Sequence, residues 1–254
     1  MGRTLVRLVH EEPGAHLHGA VENPGNPTLG QDAGVLAGVQ ALGIGVSDDY
    51  ERVAAPGTVT LDFTTASAAL EHLRVAVAKH AAIVIGTTGY SADEQRELDA
   101  LAGRTPCVVA ANMSVGVNVL LTLVEQAAAA LGAGFDPEIV EIHHRMKVDS
   151  PSGTALALGR AAAAGLGRDF ERSKRLAREG IVGARTDQEI GIVALRGGDV
   201  VGDHTVVFSG MGERVELTHR AHSRDCLARG AVRAALWLAG KPAGRYSMRD
   251  VLGL

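Results

Sequence analysis

Apolar and polar positions alternate with two different rhythms along this chain, and the change of rhythm falls near residue 132. In the first half, short apolar runs predict strands over 17–22, 59–63, 82–86 and 107–111, and residues 3–10 repeat Leu5, Val6, Leu8 and Val9 along one side of a helix. Helical spacing also covers 66–79, 92–101 and 116–131, with Ser91 placed as an N-cap. Strands that alternate with helices predict a parallel sheet covered on both faces. Beyond residue 132 the strands predicted over 135–144, 190–195, 200–209 and 214–221 follow one another more closely. Gly197-Gly198-Asp199 and Gly210-Met211-Gly212-Glu213 supply turn chemistry between them. Residues 155–164 and 224–238 are helical in pattern, and 166–183, rich in charge and glycine, reads as a mobile loop.

The fold class expected is therefore α/β, a doubly wound parallel-sheet nucleotide-binding domain, joined to an α+β domain with a mixed or antiparallel sheet. The boundaries expected are 1–113 for the first domain, with 223–254 packing back onto it, and 114–222 for the second. At 254 residues and 46% hydrophobic content the chain can fill both cores, but aromatics are only 3%, so Ala, Val and Leu must do the filling. A net charge of −4 without a basic stripe argues against nucleic acid, and no apolar run is expected to span a membrane. Cys107 and Cys226 both lie in apolar patterns and read as packed thiols in a cytoplasmic protein.

The densest chemistry lies in Glu141-Ile142-His143-His144-Arg145-Met146-Lys147-Val148-Asp149-Ser150-Pro151-Ser152-Gly153-Thr154-Ala155. It combines a strand end, two imidazoles, one of only four lysines and a helix start. A helix start presents unpaired N–H groups and a positive dipole end to an anion, and histidine exchanges protons near neutral pH. Structural histidines and half a metal site are the competing readings; neighbouring strand residues point to opposite faces, which disfavours a shared ion, and His219 and His222 lack a third ligand, so no metal is expected.

This string resembles the E-x-H-H-x-x-K-x-D-x-P-S-G-T-A signature of the dihydrodipicolinate reductase family at every fixed position. The resemblance implies NADH- or NADPH-dependent reduction of 4-hydroxy-tetrahydrodipicolinate to tetrahydrodipicolinate, on the route to lysine and diaminopimelate. It implies His143 as proton donor and Lys147 as a carboxylate ligand or second donor. His144, Gly153 and Thr154 would bind the dicarboxylate substrate, with Arg145 and Arg220 as helpers. Cofactor contacts are expected at Met1, Glu22, Gly86, Thr87, Thr88, Ala110, Ala111, Asn112 and Met113, most of them at strand C-terminal ends. Glu22 disfavours a 2′-phosphate and leans towards NADH, although the family uses both. A homotetramer built through the second domain's sheet is also implied.

That family opens with a strand and G-x-x-G-R-M-G, of which Met1-Gly2 match the last two letters. The chain therefore reads as lacking about 10 to 20 residues of strand and glycine turn. Two alternatives stay open: another two-domain dehydrogenase, acting on diaminopimelate or, through a cysteine nucleophile, aspartate semialdehyde, and a cofactor-deficient form without turnover.

Overall fold

The computed structural model describes every residue, Met1–Leu254, as two compact units. The first comprises Met1–Val115 and Asp225–Gly253, the second Gly116–Arg224.

The first unit begins with helix α1 (Gly2–Glu11), strand β1 (Ala20–Val21), the single turn α2 (Ala33–Leu36), β2 (Val46–Ser47) and the turn α3 (Tyr50–Val53). It continues through β3 (Val59–Asp62), α4 (Ala66–Lys79), β4 (Ala82–Ile85), α5 (Ala92–Leu101) and β5 (Pro106–Val109). Its sheet is in two parts. β1 and β2 form a parallel pair, while β3, β4 and β5 run parallel in a four-stranded sheet closed at its far edge by β11 (Gly244–Tyr246). β1 and β3 are the facing ends of these parts and are not paired with each other. The strand expected over 17–22 accordingly shrinks to Ala20–Val21, whose only ladder partner is β2.

Side-chain chemistry explains the helices. Ser91 and Glu94 close a capping box at the start of α5, and α4 stops at His80 in the left-handed region. The fully buried Ile83, Ile85 and Leu73 pack together on one face of the four-stranded sheet. On the other face, Leu5 and Leu8 of α1 meet Ala228, Ala231, Val232 and Leu238 of α9 (Asp225–Leu238) and Met248 and Val251 of α10 (Met248–Leu252). Alanine at the α9 contacts permits close approach, and Gly230 is closer still: a Cβ there would lie 1.7 Å from the Met113 carbonyl oxygen.

The second unit is one five-stranded mixed sheet with helices against it. Helix α6 (Val115–Leu131) leads to β6 (Asp136–His143), α7 (Gly153–Gly165), the turn α8 (Phe170–Ser173) and β7 (Lys174–Arg175). The strands β8 (Ile190–Arg196), β9 (Gly202–Ser209) and β10 (Arg214–Ala221) complete it in the order β10-β9-β6-β8-β7. β6 is central, parallel to β8 and antiparallel to β9. Ile139, Ile192, Val206 and Phe208 fill the core with Leu158 and Ala162 of α7 and Val124 and Ala128 of α6.

Two expectations need correction here. The stretch 166–183 is not all loop, because it carries α8 and β7 and seats Phe170 in the core. One run, Val115–Gly134, is long and apolar enough to cross a membrane by length and composition, contrary to the expectation that none would be. In the structure Leu120, Val124 and Ala128 of α6 join the second unit's core, while Leu123 is exposed.

Candidate active site

Strand β6 alternates inward and outward, and its inward positions near the C-terminal end are Glu141 and His143. An acid at an inward position is costly unless every lone pair finds a donor. Glu141 finds four. His143 Nδ1 lies 2.6 Å from Oε2, Arg196 forks Nη1 to Oε2 at 2.9 Å and Nη2 to Oε1 at 3.0 Å, and the Ser152 amide donates to Oε1 at 3.0 Å. Burial works to raise the Glu141 carboxyl, but the Arg196, His143 and Ser152 hydrogen bonds outweigh it and hold it below the usual carboxylate range.

Arg196, the last residue of β8, also donates to the Asp149 carbonyl at 2.7 Å, which ties the segment after β6 back to the sheet. Ser152 caps α7 by accepting from the Ala155 amide at 3.1 Å. Its hydroxyl also shares a 3.0 Å hydrogen bond with His204 Nε2. His204 stands opposite Glu141 on β9, and its ring meets His143 edge-on at 5.1 Å. Burial, then the facing His143, pushes His204 down to about 4, so it is neutral at pH 7, and its Nδ1 is buried without a partner.

Lys147 lies in the turn after His144, with its amide donating to the His144 carbonyl. Its ammonium grips both oxygens of the exposed Asp149, at 2.7 and 2.9 Å, and this pairing lowers the Asp149 carboxyl. Gly153 is the first residue of α7, and a Cβ there would meet nothing within 4 Å, so the helix start is open on that side; Thr154 follows it. The structure thus gathers His143, His144, Lys147, Gly153 and Thr154 around one strand end and one helix start. Arg220 is mostly exposed, 3.6 Å from Asp203, and apart from this cluster in the bonding network. No group of three or more His, Cys, Asp or Glu is arranged for a metal ion.

Sequence reasoning missed Arg196 and His204 altogether and gave Glu141 and Ser152 no role. One signal was available: Glu141 and His204 both sit at inward positions of alternating strands, where a polar residue demands an explanation.

In the first unit, Gly2 opens α1 without a side chain in the way, and Met1 is its N-cap, with no side-chain capping bond. Glu22 follows β1, and its carboxylate accepts from the Asn23 amide and the Asn26 side chain. Gly2 and Glu22 border a cavity of about 800 Å³. The parted strand edges also line it, through Ala20 and Val21 of β1 and Val59 to Asp62 of β3. A helix start of ten residues' helix, an acid at a strand end and open C-terminal strand ends are donor and acceptor types that suit a dinucleotide.

The other expected cofactor contacts follow β4 and β5. Gly86 is required by packing, since a Cβ would lie 2.3 Å from the Phe63 ring. Thr87 is buried beside Asp62, whereas Thr88 is exposed. Ala110 donates its amide to Ile85, and Ala111 and Asn112 lead away from β5. The Met113 side chain is buried in the core. Cys107 is fully buried and its thiol is pushed up to about 12 by burial, so it is no nucleophile.

Two family models match: "Dihydrodipicolinate reductase, N-terminus" over residues 1–113 and "Dihydrodipicolinate reductase, C-terminus" over 116–252. A 4-hydroxy-tetrahydrodipicolinate reductase of Anaeromyxobacter dehalogenans (strain 2CP-1 / ATCC BAA-258) is 53% identical across the whole chain and 94% of its own length. One of Pelobacter propionicus is 50% identical across the whole chain and 95% of its own. Among solved structures, the dipicolinate-bound dihydrodipicolinate reductase of Paenisporosarcina sp. TG-14 superposes with a TM-score of 0.74 at 23% identity, over 98% of this chain and 94% of that one. An amine dehydrogenase of Mycobacterium smegmatis shares the fold at a TM-score of 0.58 and 15% identity, over 97% of this chain and 92% of that one. With both halves matched and half of all positions shared along its full length, the chain belongs to the dihydrodipicolinate reductase family.

Proposed function

We propose that this oxidoreductase reduces 4-hydroxy-tetrahydrodipicolinate, or the dihydrodipicolinate left after loss of water, with His143 as the proton donor and NADH or NADPH as the electron source. The observation that carries the reading is the Glu141–His143 pair on the strand that leads directly to Lys147 and the α7 start. Reduced nicotinamide supplies the hydride when bound. Hydride addition to a conjugated C=C–C=N unit leaves an electron pair at the other end, and a proton must meet it. The His143 Nε2–H bond breaks, the proton passes to the ring, and the electron pair stays on Nε2.

Lys147, His144 and the Gly153 and Thr154 amides hold the two carboxylates. Asp149 occupies the Lys147 ammonium in the meantime, and because Asp149 is exposed a substrate carboxylate displaces it at little cost. On the cofactor side, Met1, Glu22, Gly86, Thr87, Thr88, Ala110, Ala111, Asn112 and Met113 form the binding segments. Glu22 accepts from ribose hydroxyls and so favours NADH. We place the enzyme in the cytoplasm as a homotetramer joined through the second unit's sheet, whose β10 edge is open.

The test is consumption of NADH and NADPH with freshly generated substrate. Turnover with kcat/KM higher for NADH supports the reading, and absence of turnover with either cofactor overturns it. In the same assay Lys147→Ala raises KM for substrate about 10- to 100-fold, as loss of one charge-assisted carboxylate contact requires, with NADH affinity unchanged.

A further inference from the structure

The bonding around Glu141 fixes more than the position of His143. Three of the four donors to its carboxylate cannot become acceptors: two are guanidinium N–H groups of Arg196 and one is the Ser152 amide. An ionised carboxylate has no proton to give, so it can only accept. The fourth neighbour, His143 Nδ1 at 2.6 Å, must therefore carry a hydrogen in the neutral ring as well as in the charged one. The hydrogen that comes and goes is then on Nε2. That atom faces Gly202, where an added Cβ would lie 2.9 Å away, so the glycine keeps a side chain off Nε2. Arg196 neutralises Glu141 independently of His143, and His204 stands edge-on to the ring as a neutral group. His143 can thus lose its proton without leaving Glu141 an unbalanced buried charge.

We propose that Glu141, clamped by Arg196, is a positioning residue that locks the Nδ1–H form of His143 and so assigns proton donation to Nε2, with Gly202 keeping a side chain off that atom. The proposal rests on the reading of His143 as the proton donor.

Glu141→Gln makes a sharp prediction. If the amide nitrogen took the place of Oε1 it would confront two fixed donors, Ser152 N–H and Arg196 Nη2. In the place of Oε2 it confronts Arg196 Nη1 and His143 Nδ1, and the imidazole is the one group there able to turn from donor to acceptor. The variant therefore drives His143 to the Nε2–H tautomer, and a neutral ring protonated there offers a far poorer acid in the wrong protonation cycle.

The measurement is long-range nitrogen–proton NMR of histidine-labelled protein, wild type and Glu141→Gln, beside steady-state kinetics and a thermal melt. In the neutral wild-type ring Nδ1 is protonated and Nε2 is not; in the variant the two exchange roles. kcat falls about 10²–10⁴-fold while KM moves less than about 3-fold, a range that runs up to the loss seen for a histidine held in the wrong tautomer. Glu141→Asp keeps the ionised acceptor and recovers at least about tenfold of that loss. A neutral wild-type ring protonated on Nε2 overturns the proposal without any variant, so a Glu141→Gln protein that fails to fold does not shield it. Loss of kcat with an unchanged tautomer also overturns it, because Glu141 would then act on the fold alone. If His143→Gln keeps full kcat while the tautomer switches as described, the proton-donor reading fails and the ring-fixing geometry survives.

Discussion

Each unit buries a carboxylate against a histidine, and the two pairs are balanced differently. In the first unit Asp62, at the end of β3, meets His72 Nδ1 at 2.5 Å and accepts from the Thr64 amide at 3.0 Å, the Thr64 hydroxyl at 2.7 Å and the Thr87 hydroxyl at 3.2 Å. Burial works to raise Asp62, and the His72 and Thr64 hydrogen bonds outweigh it and hold it low. No arginine or lysine is bonded to it, so His72 is the one partner able to carry a positive charge. In the second unit Glu141 has Arg196 as well as His143. A carboxylate with a permanent cation beside it leaves its histidine free to cycle a proton, whereas a carboxylate that depends on its histidine holds it. A carboxylate–histidine pair thus suits a structural role in one place and, on the proposal that His143 donates the proton, a chemical one in the other.

The largest effect expected from this difference is catalytic. His143→Gln is expected to lower kcat about 10²–10⁴-fold, with a modest change in KM, as for loss of the proposed proton donor. NADH affinity, measured by fluorescence titration, should stay within about 2-fold. A parallel loss of NADH affinity would show that the residue supports the fold or the cofactor and would break the comparison.

Next comes Arg196→Met. It leaves Glu141 buried with His143 as the only bonded partner able to carry a positive charge, which converts the second pair into a copy of the first. Removing one partner from such a pair costs about 3–5 kcal/mol, and the part-exposed Arg196 side chain puts the expectation near the lower end. Urea unfolding measures it. A loss under about 1 kcal/mol would mean that Arg196 is not what balances Glu141.

How much of this was legible from sequence follows the same contrast between local and distant partners. Helices α4 and α5 matched their expected limits because period, cap and stop signals are local; Ser91 and Glu94 are three residues apart. The β6 alternation placed His143 correctly beside a helix start. Its controlling partners were invisible because they arrive from elsewhere, Arg196 from 55 residues away and His204 across the β9 ladder. Residues 23–58 gave no periodic signal for a physical reason. That region is held by Asp32, which accepts from the Gly34, Val35, Leu42 and Gly43 amides in place of long strands, and β1 and β2 are two residues each.

A third test uses His204, the neutral member of the second unit's cluster. Its pKa falls from an ordinary 6.5 to about 4 in the folded protein. The unfolded chain therefore binds more protons between these limits, and stability declines as pH drops from about 6.5 to 4, by roughly 2–3 kcal/mol in total. His204→Gln, which keeps a polar group for Ser152, should flatten that part of a melting-temperature profile. A profile unchanged in slope would assign the decline to other groups.

The smallest effect tests the first pair. His72→Gln retains a neutral donor for Asp62 but removes the possibility of a cation, and the remaining Thr64 and Thr87 donors stay in place. The loss expected at neutral pH is about 1–2 kcal/mol, that of weakening one charged hydrogen bond among several. Its pH dependence carries the argument. Asp62 is held below its ordinary 3.8 in the folded state, so its contribution is fully present above that value and disappears as pH falls through the lower, folded one. The difference between wild type and His72→Gln should therefore be constant above pH 3.8 as far as Asp62 governs it, and should narrow below, because the variant has less of this stabilisation to lose. Unfolding curves at neutral and acidic pH measure both halves of that statement. If His72→Gln costs as much as Arg196→Met, the two pairs are equally dependent on their cations, and the contrast between a holding histidine and a cycling one collapses.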